Sequence, residues 1–462
     1  MSPFGTEHLA DGTWPPSAPP LAGLPSMISV LVLAVRAVLA CLIVAFFVQQ
    51  SFYDHAADFK TFFSAGYAVR HPEIPLYDLV ALDDNPFGEV FKLAPPAAVY
   101  LVPFTYGTIQ EARLAWRLVL VAAIVAAYAI VARTLGLKLL GWAWLTGFAA
   151  WSVFGPLQIA VGEGQWDPIF LLLIALATQA VWTGRATVAA LAVAVAASIK
   201  PYPVLLIGYF LARRDWRAAA ATAATLATLL VLGALAVGLD ETTAFVTRVL
   251  PATGATTAYA DNQALGGVLA RLWTTDLKPF PLRDSGAVDL SIRVVTLALV
   301  SATIWLVAQR GASDGQERAL QLGLFVPLSI LVIPAAWTHY QAILLVPLTL
   351  LAVDQARNRP RDPFGWLLLA VAYGVLLLPN PTMVYGPEID RGLWLRSRAD
   401  AANLALQGIY PTALSRLILS YKAFAVILLY GLLAWRVVRP ATRGAATGAA
   451  TSKPAAPATV AS

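Results

Sequence analysis

Across 462 residues the chain is 59% hydrophobic and only 13% charged, against roughly 45–50% and about 25% in soluble globular domains, which excludes a water-facing globular surface. Its 32 Lys and Arg against 26 Asp and Glu leave a formal charge of +6. The basic residues flank apolar runs, as at Arg213, Arg214, Arg217, Arg357, Arg359, Arg361, Arg436 and Arg439; they form no basic stripe with interleaved aromatics, so no nucleic acid is expected as a partner.

Residues 1–25 carry six prolines and no Lys or Arg, which predicts a disordered tail without the basic start of a signal peptide. The first apolar run, 27–48, is long enough to span and is expected to remain as an anchor helix. Its Cys41 is the only cysteine in the chain, so no intramolecular disulfide forms. Spans are predicted near 27–49, 114–133, 139–158, 167–183, 186–199, 201–212, 217–238, 291–309, 319–335, 338–353, 364–379 and 413–436, roughly twelve in all. The run 93–107 carries Pro95, Pro96 and Pro103, which argue against a regular helix, and it is expected to be re-entrant or interfacial. Residues 441–462, rich in Ala, Thr and Pro, are a second disordered tail. The expectation is one all-α polytopic membrane domain over 26–440.

With the amino terminus cytoplasmic, this phase puts Arg133 and Lys138, Arg185, Arg213 to Arg217, Arg310 to Arg318, Arg357 to Arg361 and the Arg436/Arg439 tail on one side, the positive-inside pattern. Both termini are then cytoplasmic in a multi-pass protein of the plasma (inner) membrane. Three long segments, about 50–112, 239–290 and 380–412, fall on the outer face. Their Tyr, Trp, Asp and Asn content is not that of disorder, which places the chemistry outside the cytoplasm.

Several motifs on that face carry reactive groups. Phe52-Tyr53-Asp54-His55-Ala56-Ala57-Asp58-Phe59 sets an Asp beside aromatics just past the first span; Asp58 is either a general base in a partly dry cleft or a helix cap in an interfacial aromatic belt. Gly162-Glu163-Gly164-Gln165-Trp166-Asp167 is a polar turn that also reads as a plain hairpin linker. In Ser198-Ile199-Lys200-Pro201-Tyr202-Pro203 the lysine sits at a broken helix, where it either snorkels or holds an anionic headgroup. Asp261-Asn262-Gln263-Ala264-Leu265-Gly266-Gly267, followed by Arg271, supplies amides and a cation. Trp337-Thr338-His339-Tyr340 contains one of only four histidines; this His is either a satisfied interfacial tip or a contact for a sugar or phosphate. No metal-ligand spacing, Walker-type loop or GxGxxG is present, so no metal, nucleotide or other cofactor is expected.

Taken in order, the chain resembles glycosyltransferase family 87, the DUF2029 group with the GT-C fold, which includes polyprenol-phosphate-mannose-dependent mannosyltransferases of phosphatidylinositol mannoside synthesis. The resemblance runs from roughly residue 27 to 436. It rests on Asp58-Phe59 with Gly66 and Leu76-Tyr77-Asp78, Pro95-Pro96 closing on Pro103, Gly164-Gln165, Lys200-Pro201 with Arg213-Arg214-Asp215-Trp216-Arg217, Asn262-Gln263 with Gly266-Gly267, and Trp337-Thr338-His339-Tyr340. The chain departs from several relatives in having Ala264 where they carry a serine, and Thr338-His339-Tyr340 where they carry a doubled His.

The resemblance implies a GT-C fold whose outer loops bear interfacial helices. It implies transfer of a hexose, mannose foremost, from a polyprenyl-phosphate sugar to a glycolipid or glycan acceptor, with membrane lipid as a further partner. Asp58 is then the catalytic base of an inverting displacement, and Lys200, His339 and Arg271 are candidates for the donor phosphate. Tyr77, Gln165, Asn262, Gln263, Trp337 and Tyr340 are candidate substrate contacts. The rival class is a lipid or sugar transporter, which places ionisable residues mid-membrane in matching broken helices. No internal repeat is visible here, and the spans are nearly free of acidic residues. A structural subunit without catalysis is a third reading, under which no outer polar residue matters.

Overall fold

The computed structural model describes residues 27–51, 57–78, 91–275, 277, 286–379, 408 and 410–439. The two predicted tails, Asp54, and nearly all of the third outer segment, 380–412, lie outside the described residues.

Every regular element among the described residues is helical. In chain order they are α1 (Met27–Ser51), α2 (Ala57–Arg70), α3 (Pro95–Leu101), α4 (Ile109–Thr134), α5 (Trp142–Ser152), α6 (Gly155–Glu163), α7 (Asp167–Trp182), α8 (Ala186–Ile199) and α9 (Ile207–Ala212). There follow α10 (Trp216–Val237), α11 (Leu239–Ala244), α12 (Leu250–Thr253), α13 (Leu265–Trp273), α14 (Gly286–Gln309), α15 (Gly315–Leu331), α16 (Leu345–Asn358), α17 (Pro363–Leu377) and α18 (Ala413–Val438). By length and apolar composition five of them, α1, α4, α10, α14 and α18, can cross a bilayer, or six if α5 and α6, bent by 55°, make one span.

The sequence predicts roughly twelve spans, and helices stand at each predicted position, but several are short. The shortness follows from location. Helices α7, α15 and α16 are buried inside the bundle, whereas α1, α10 and α14 turn mostly exposed apolar surface outward. Exposed Leu31, Leu33, Val38 and Leu42 on α1 would be costly in water and cost nothing against acyl chains. The chain is therefore a membrane protein. The run 93–107 is not one long helix: Pro95 and Pro96 open α3, which ends at Leu101, and Pro103 lies in a 3-10 turn, Val102–Tyr106. Proline favours a first helical turn because it has no N–H to leave unpaired there.

The arginine-rich connections gather at one end and staple helix ends together. Arg318 donates to the carbonyls of Val181 and Trp182 at 3.1 Å each, closing the last turn of α7. Arg357 donates to the Leu135 carbonyl after α4, and Arg213 to the Arg310 carbonyl at 3.0 Å. Carbonyls left over at helix C-termini are natural partners for cations. Asp215, Asp314 and Asp362 cap the starts of α10, α15 and α17 at this same end. The opposite end, where α6 turns into α7 and α8 breaks, carries the candidate residues.

Candidate active site

Asp58 lies in the first turn of α2, and α2 is fixed by an aromatic wedge. Phe59 stacks on Trp116 of α4 at 5.9 Å, and Phe62 meets Trp166 at 6.4 Å. Trp116 in turn meets Trp166 edge-on at 4.7 Å and donates its indole N–H to the Gly164 carbonyl at 2.7 Å. Gly66 lets α2 close on α3, since a Cβ there would sit 2.9 Å from the Leu101 carbonyl carbon. Asp58, partly exposed, is thus held by rigid packing.

The turn after α6 closes on Gly164 at φ +76°, a left-handed conformation that costs glycine little and other residues more. It hands the chain to Gln165 and then to Asp167, the first residue of α7. Lys200 arrives by a different device. Pro201 disfavours helical backbone in the residue before it, so Lys200 is extended at φ −126°, ψ 142°, and α8 stops. The chain resumes as a 3-10 turn, Tyr202–Leu206, before α9. His339 and Tyr340 sit on a second 3-10 turn, Thr338–Leu344, ahead of α16.

These segments converge on one polar cluster. Gln165 donates its amide N–H to Asp58 Oδ2 and accepts from Lys200 Nζ on its Oε1 at 3.2 Å. A carboxylate only accepts and an ammonium only donates, so the two neighbours fix which way the amide faces. Lys200 Nζ is also 3.6 Å from Asp167 Oδ2 and 4.2 Å from the centre of the Tyr340 ring. Tyr202 donates to Asp167 Oδ1 at 3.3 Å and stacks on Tyr340 at 5.2 Å. His339 Nδ1 is 3.2 Å from Glu163 Oε2, and its Nε2 is 3.8 Å from Asp167 Oδ2. Burial alone would pull the Lys200 ammonium down; the Asp167 carboxylate, then Tyr340 and Asp58, outweigh it and hold the lysine above its usual range.

Of the residues singled out in the sequence, Asp58, Gln165, Lys200, His339 and Tyr340 are brought together here. Asn262, Gln263 and Arg271 form a second, separate network. Asn262 donates to the Thr257 and Pro334 carbonyls and accepts from the Ala264 and Ala336 N–H groups. Gln263 bonds the Ala260 and Leu419 carbonyls and the Ala423 N–H. Arg271, fully buried, donates to the Tyr259 and Asn262 carbonyls at 2.7 and 2.9 Å and to Ser420 Oγ at 3.0 Å. Burial lowers its guanidinium to about 9 against the opposing charge of Asp261, which leaves it charged at neutral pH.

Trp337 packs on Tyr259 at 5.8 Å, beside this second network. Tyr77 anchors the first outer segment instead, donating to the Leu93 carbonyl at 3.0 Å while its N–H bonds Glu241. A cavity of about 260 Å³ lies at the arginine end, lined among others by Arg310, Asp314, Glu317, Asp354 and Arg436. No candidate residue lines it.

Glu163, Asp167 and Tyr202 belong to the cluster and were not singled out as site residues in the sequence. Asp167-Pro168 has the look of an ordinary helix start, and only the fold reveals that Lys200 and Tyr202 from one distant segment and His339 from another face this carboxylate. Chemically the cluster offers one partly exposed carboxylate, a buried cation held one amide away from it, and a histidine oriented by a second carboxylate.

Comparison with known proteins gives a consistent result. The profile of Glycosyltransferase family 87 matches residues 94–334. The chain is 29% identical over 327 residues to the polyprenol-phosphate-mannose-dependent alpha-(1-2)-phosphatidylinositol pentamannoside mannosyltransferase of Mycobacterium tuberculosis (strain CDC 1551 / Oshkosh), covering 68% of this chain and 71% of that protein. It is 25% identical over 372 residues to the protein of the same description from Mycolicibacterium smegmatis, covering 78% and 85%. The crystal structure of ArnT from Cupriavidus metallidurans bound to undecaprenyl phosphate superposes with a TM-score of 0.42 at 13% identity, covering 88% of this chain and 77% of that one, a likeness too distant to argue from.

Proposed function

The chain belongs to glycosyltransferase family 87, and from that premise we propose that it moves a hexose, mannose foremost, from a polyprenyl-phosphate sugar to a lipid-linked acceptor outside the cytoplasm. The two relatives named above are described as polyprenol-phosphate-mannose-dependent enzymes acting on phosphatidylinositol mannosides, which supports a lipid-phosphate donor here. The proposal includes a GT-C fold with about twelve crossings, both termini in the cytoplasm and the Asp58 cluster on the outer face. The collection of the basic loops at the other end supports that orientation.

The observation that carries the reading is the Gln165 amide set between Asp58 and Lys200. That amide donates to the carboxylate and accepts from the ammonium, so one side chain ties the base to the cation and fixes the position of both. In the step proposed, an acceptor hydroxyl oxygen attacks the anomeric carbon as its proton passes to Asp58. The bond from the anomeric carbon to the phosphate oxygen breaks, and its electron pair leaves with the polyprenyl phosphate. Attack opposite the departing group inverts the centre. Lys200 supplies positive charge where the phosphate develops negative charge, in a site where burial strengthens the interaction. His339, whose Nδ1 faces Glu163, turns Nε2 to the same region and donates to the phosphate there when the ring carries both protons.

The test is transfer of labelled mannose from polyprenyl-phosphate mannose to lipid acceptors by the purified chain in detergent or liposomes. Transfer from a nucleotide sugar but not from the lipid donor would overturn the donor assignment. Wild-type rates from both Asp58→Asn and Asp58→Ala would overturn the base.

A further inference from the structure

We infer that Asp167 is a positioning residue for the transfer: it is the fixed counter-ion that seats the Lys200 ammonium against Gln165, so that a donor phosphate meets a cation already formed. The inference rests on the reading of Lys200 as the phosphate partner and extends it to a residue that the sequence disguises as a helix start. A carboxylate in the first turn of a helix ordinarily sits in water, where the helix dipole favours it modestly. Asp167 is fully buried, with Tyr202 on one oxygen and both Lys200 and His339 facing the other.

The two halves of the Asp167 carboxylate do different work. Oδ1 takes the Tyr202 hydroxyl, which fixes the plane of the group. Oδ2 lies 3.6 Å from Lys200 Nζ and 3.8 Å from His339 Nε2, too far for a full hydrogen bond to either. It therefore holds the lysine by charge alone, and Nζ is free to tilt toward an arriving phosphate without breaking a hydrogen bond to Asp167. Lys200 is only 5% exposed, and a buried lysine without a counter-charge tends to lose its proton. The groups facing it are Asp167 from α7, Gln165 from the Gly164 turn, Asp58 from α2, His339 and Tyr340 from the Thr338–Leu344 turn, and the Phe170 ring at 5.8 Å. Of the carboxylates facing it, Asp167 stands 3.6 Å away and acts on it more strongly than Asp58 does.

The experiment measures donor KM and kcat against pH for the full chain in detergent, with polyprenyl-phosphate mannose as donor, in wild type, Asp167→Asn, Lys200→Arg and the double variant. In Asp167→Asn the donor KM is expected to rise by about tenfold per pH unit once the lysine discharges, with kcat moving far less and near-normal KM retained at the acid end. Lys200→Arg in the Asp167→Asn background removes that alkaline rise, because a guanidinium keeps its charge unaided. A uniform KM change at every pH in Asp167→Asn would mark a merely structural role and overturn the inference. Lys200→Met with unchanged donor KM would instead overturn the underlying reading of Lys200.

Should Asp167→Asn yield no folded protein, melting temperatures of Asp167→Ala, Lys200→Met and their combination decide the matter. The paired-charge account requires the combination to melt higher than the sum of the single losses predicts. Additive losses would overturn it.

Discussion

Two polar networks lie at the same end of this bundle, one residue apart where Thr338 donates to Asp261 and His339 faces Asp167, and they are wired differently. Around Asn262, Gln263 and Arg271 nearly every side-chain group meets backbone: carbonyls of Thr257, Tyr259, Ala260, Asn262, Pro334 and Leu419, and N–H groups of Ala264, Ala336 and Ala423. Around Gln165 and Lys200 the partners are other side chains, and Asp167 Oδ2 and His339 Nε2 are left without a hydrogen bond. Buried groups satisfied by backbone define architecture, because their partners cannot move aside for a ligand. Buried groups that face one another and keep unused capacity are where a substrate gains by arriving.

The largest effect expected from this contrast is at Asp58. Asp58→Ala is predicted to lower transfer by about 10²–10⁴-fold while the melting temperature in detergent stays near that of the wild type, since the residue is partly exposed and α2 is held by Phe59 and Phe62. A steep loss of stability with activity per folded molecule preserved would move Asp58 from the chemical network to the architectural one.

Arg271→Met is the mirror image. The change strands the Tyr259 and Asn262 carbonyls and Ser420 in a buried site, and a loss of about 3 kcal/mol or more of stability is expected. Donor KM of the surviving folded protein should not change. A raised donor KM would instead place Arg271 with the phosphate, as the resemblance read from the sequence suggests, and would merge the two networks.

Gln165→Leu tests the spacing between charges. Without the amide the link is lost, and Lys200 acts on the carboxylate with nothing between them, which makes it a poorer base. A fall in kcat of about tenfold, near 1.4 kcal/mol in the barrier, with the acid limb of its pH profile moved to lower pH, is the outcome that supports the spacer role. An unchanged limb would show that the amide serves another purpose.

How much of this was legible in the sequence differs between the two networks. The helical membrane architecture was, because long apolar runs report directly on lipid, and the arginine-rich connections do collect at one end. That Asp58, Lys200 and His339 would be neighbours was hinted at as well, each standing at a break that proline or a loop imposes on an apolar run, and the fold brings them into one cluster. The sorting of polar residues into networks was not. Asn262 and Gln165 look alike as amides in outer turns, and only the fold shows that one binds carbonyls and the other bridges charges. Asp167 was hidden because its partners, Lys200, Tyr202 and His339, come from distant positions in the chain, across segments whose packing no local pattern encodes. The lengths of the individual helices were not legible for the same reason: a helix buried among helices need not match the bilayer, and hydropathy alone does not separate it from one that faces lipid.

The smallest effect is expected at Tyr77, which the sequence reading placed with the substrate contacts. Its hydroxyl bonds the Leu93 carbonyl at 3.0 Å, and its ring lies between Phe91 and Phe245 at 5.9 and 5.6 Å. Burial, with Glu241 adding to it, pushes the phenol far above its usual range, so the hydroxyl stays a neutral donor at any working pH. Tyr77→Phe then keeps the ring packing and loses one neutral hydrogen bond, for about 1 kcal/mol of stability. Transfer rate and both KM values should hold. A selective rise in acceptor KM would show that the first outer segment reaches substrate through Tyr77, and that the division between architecture and chemistry runs through this loop instead of around it.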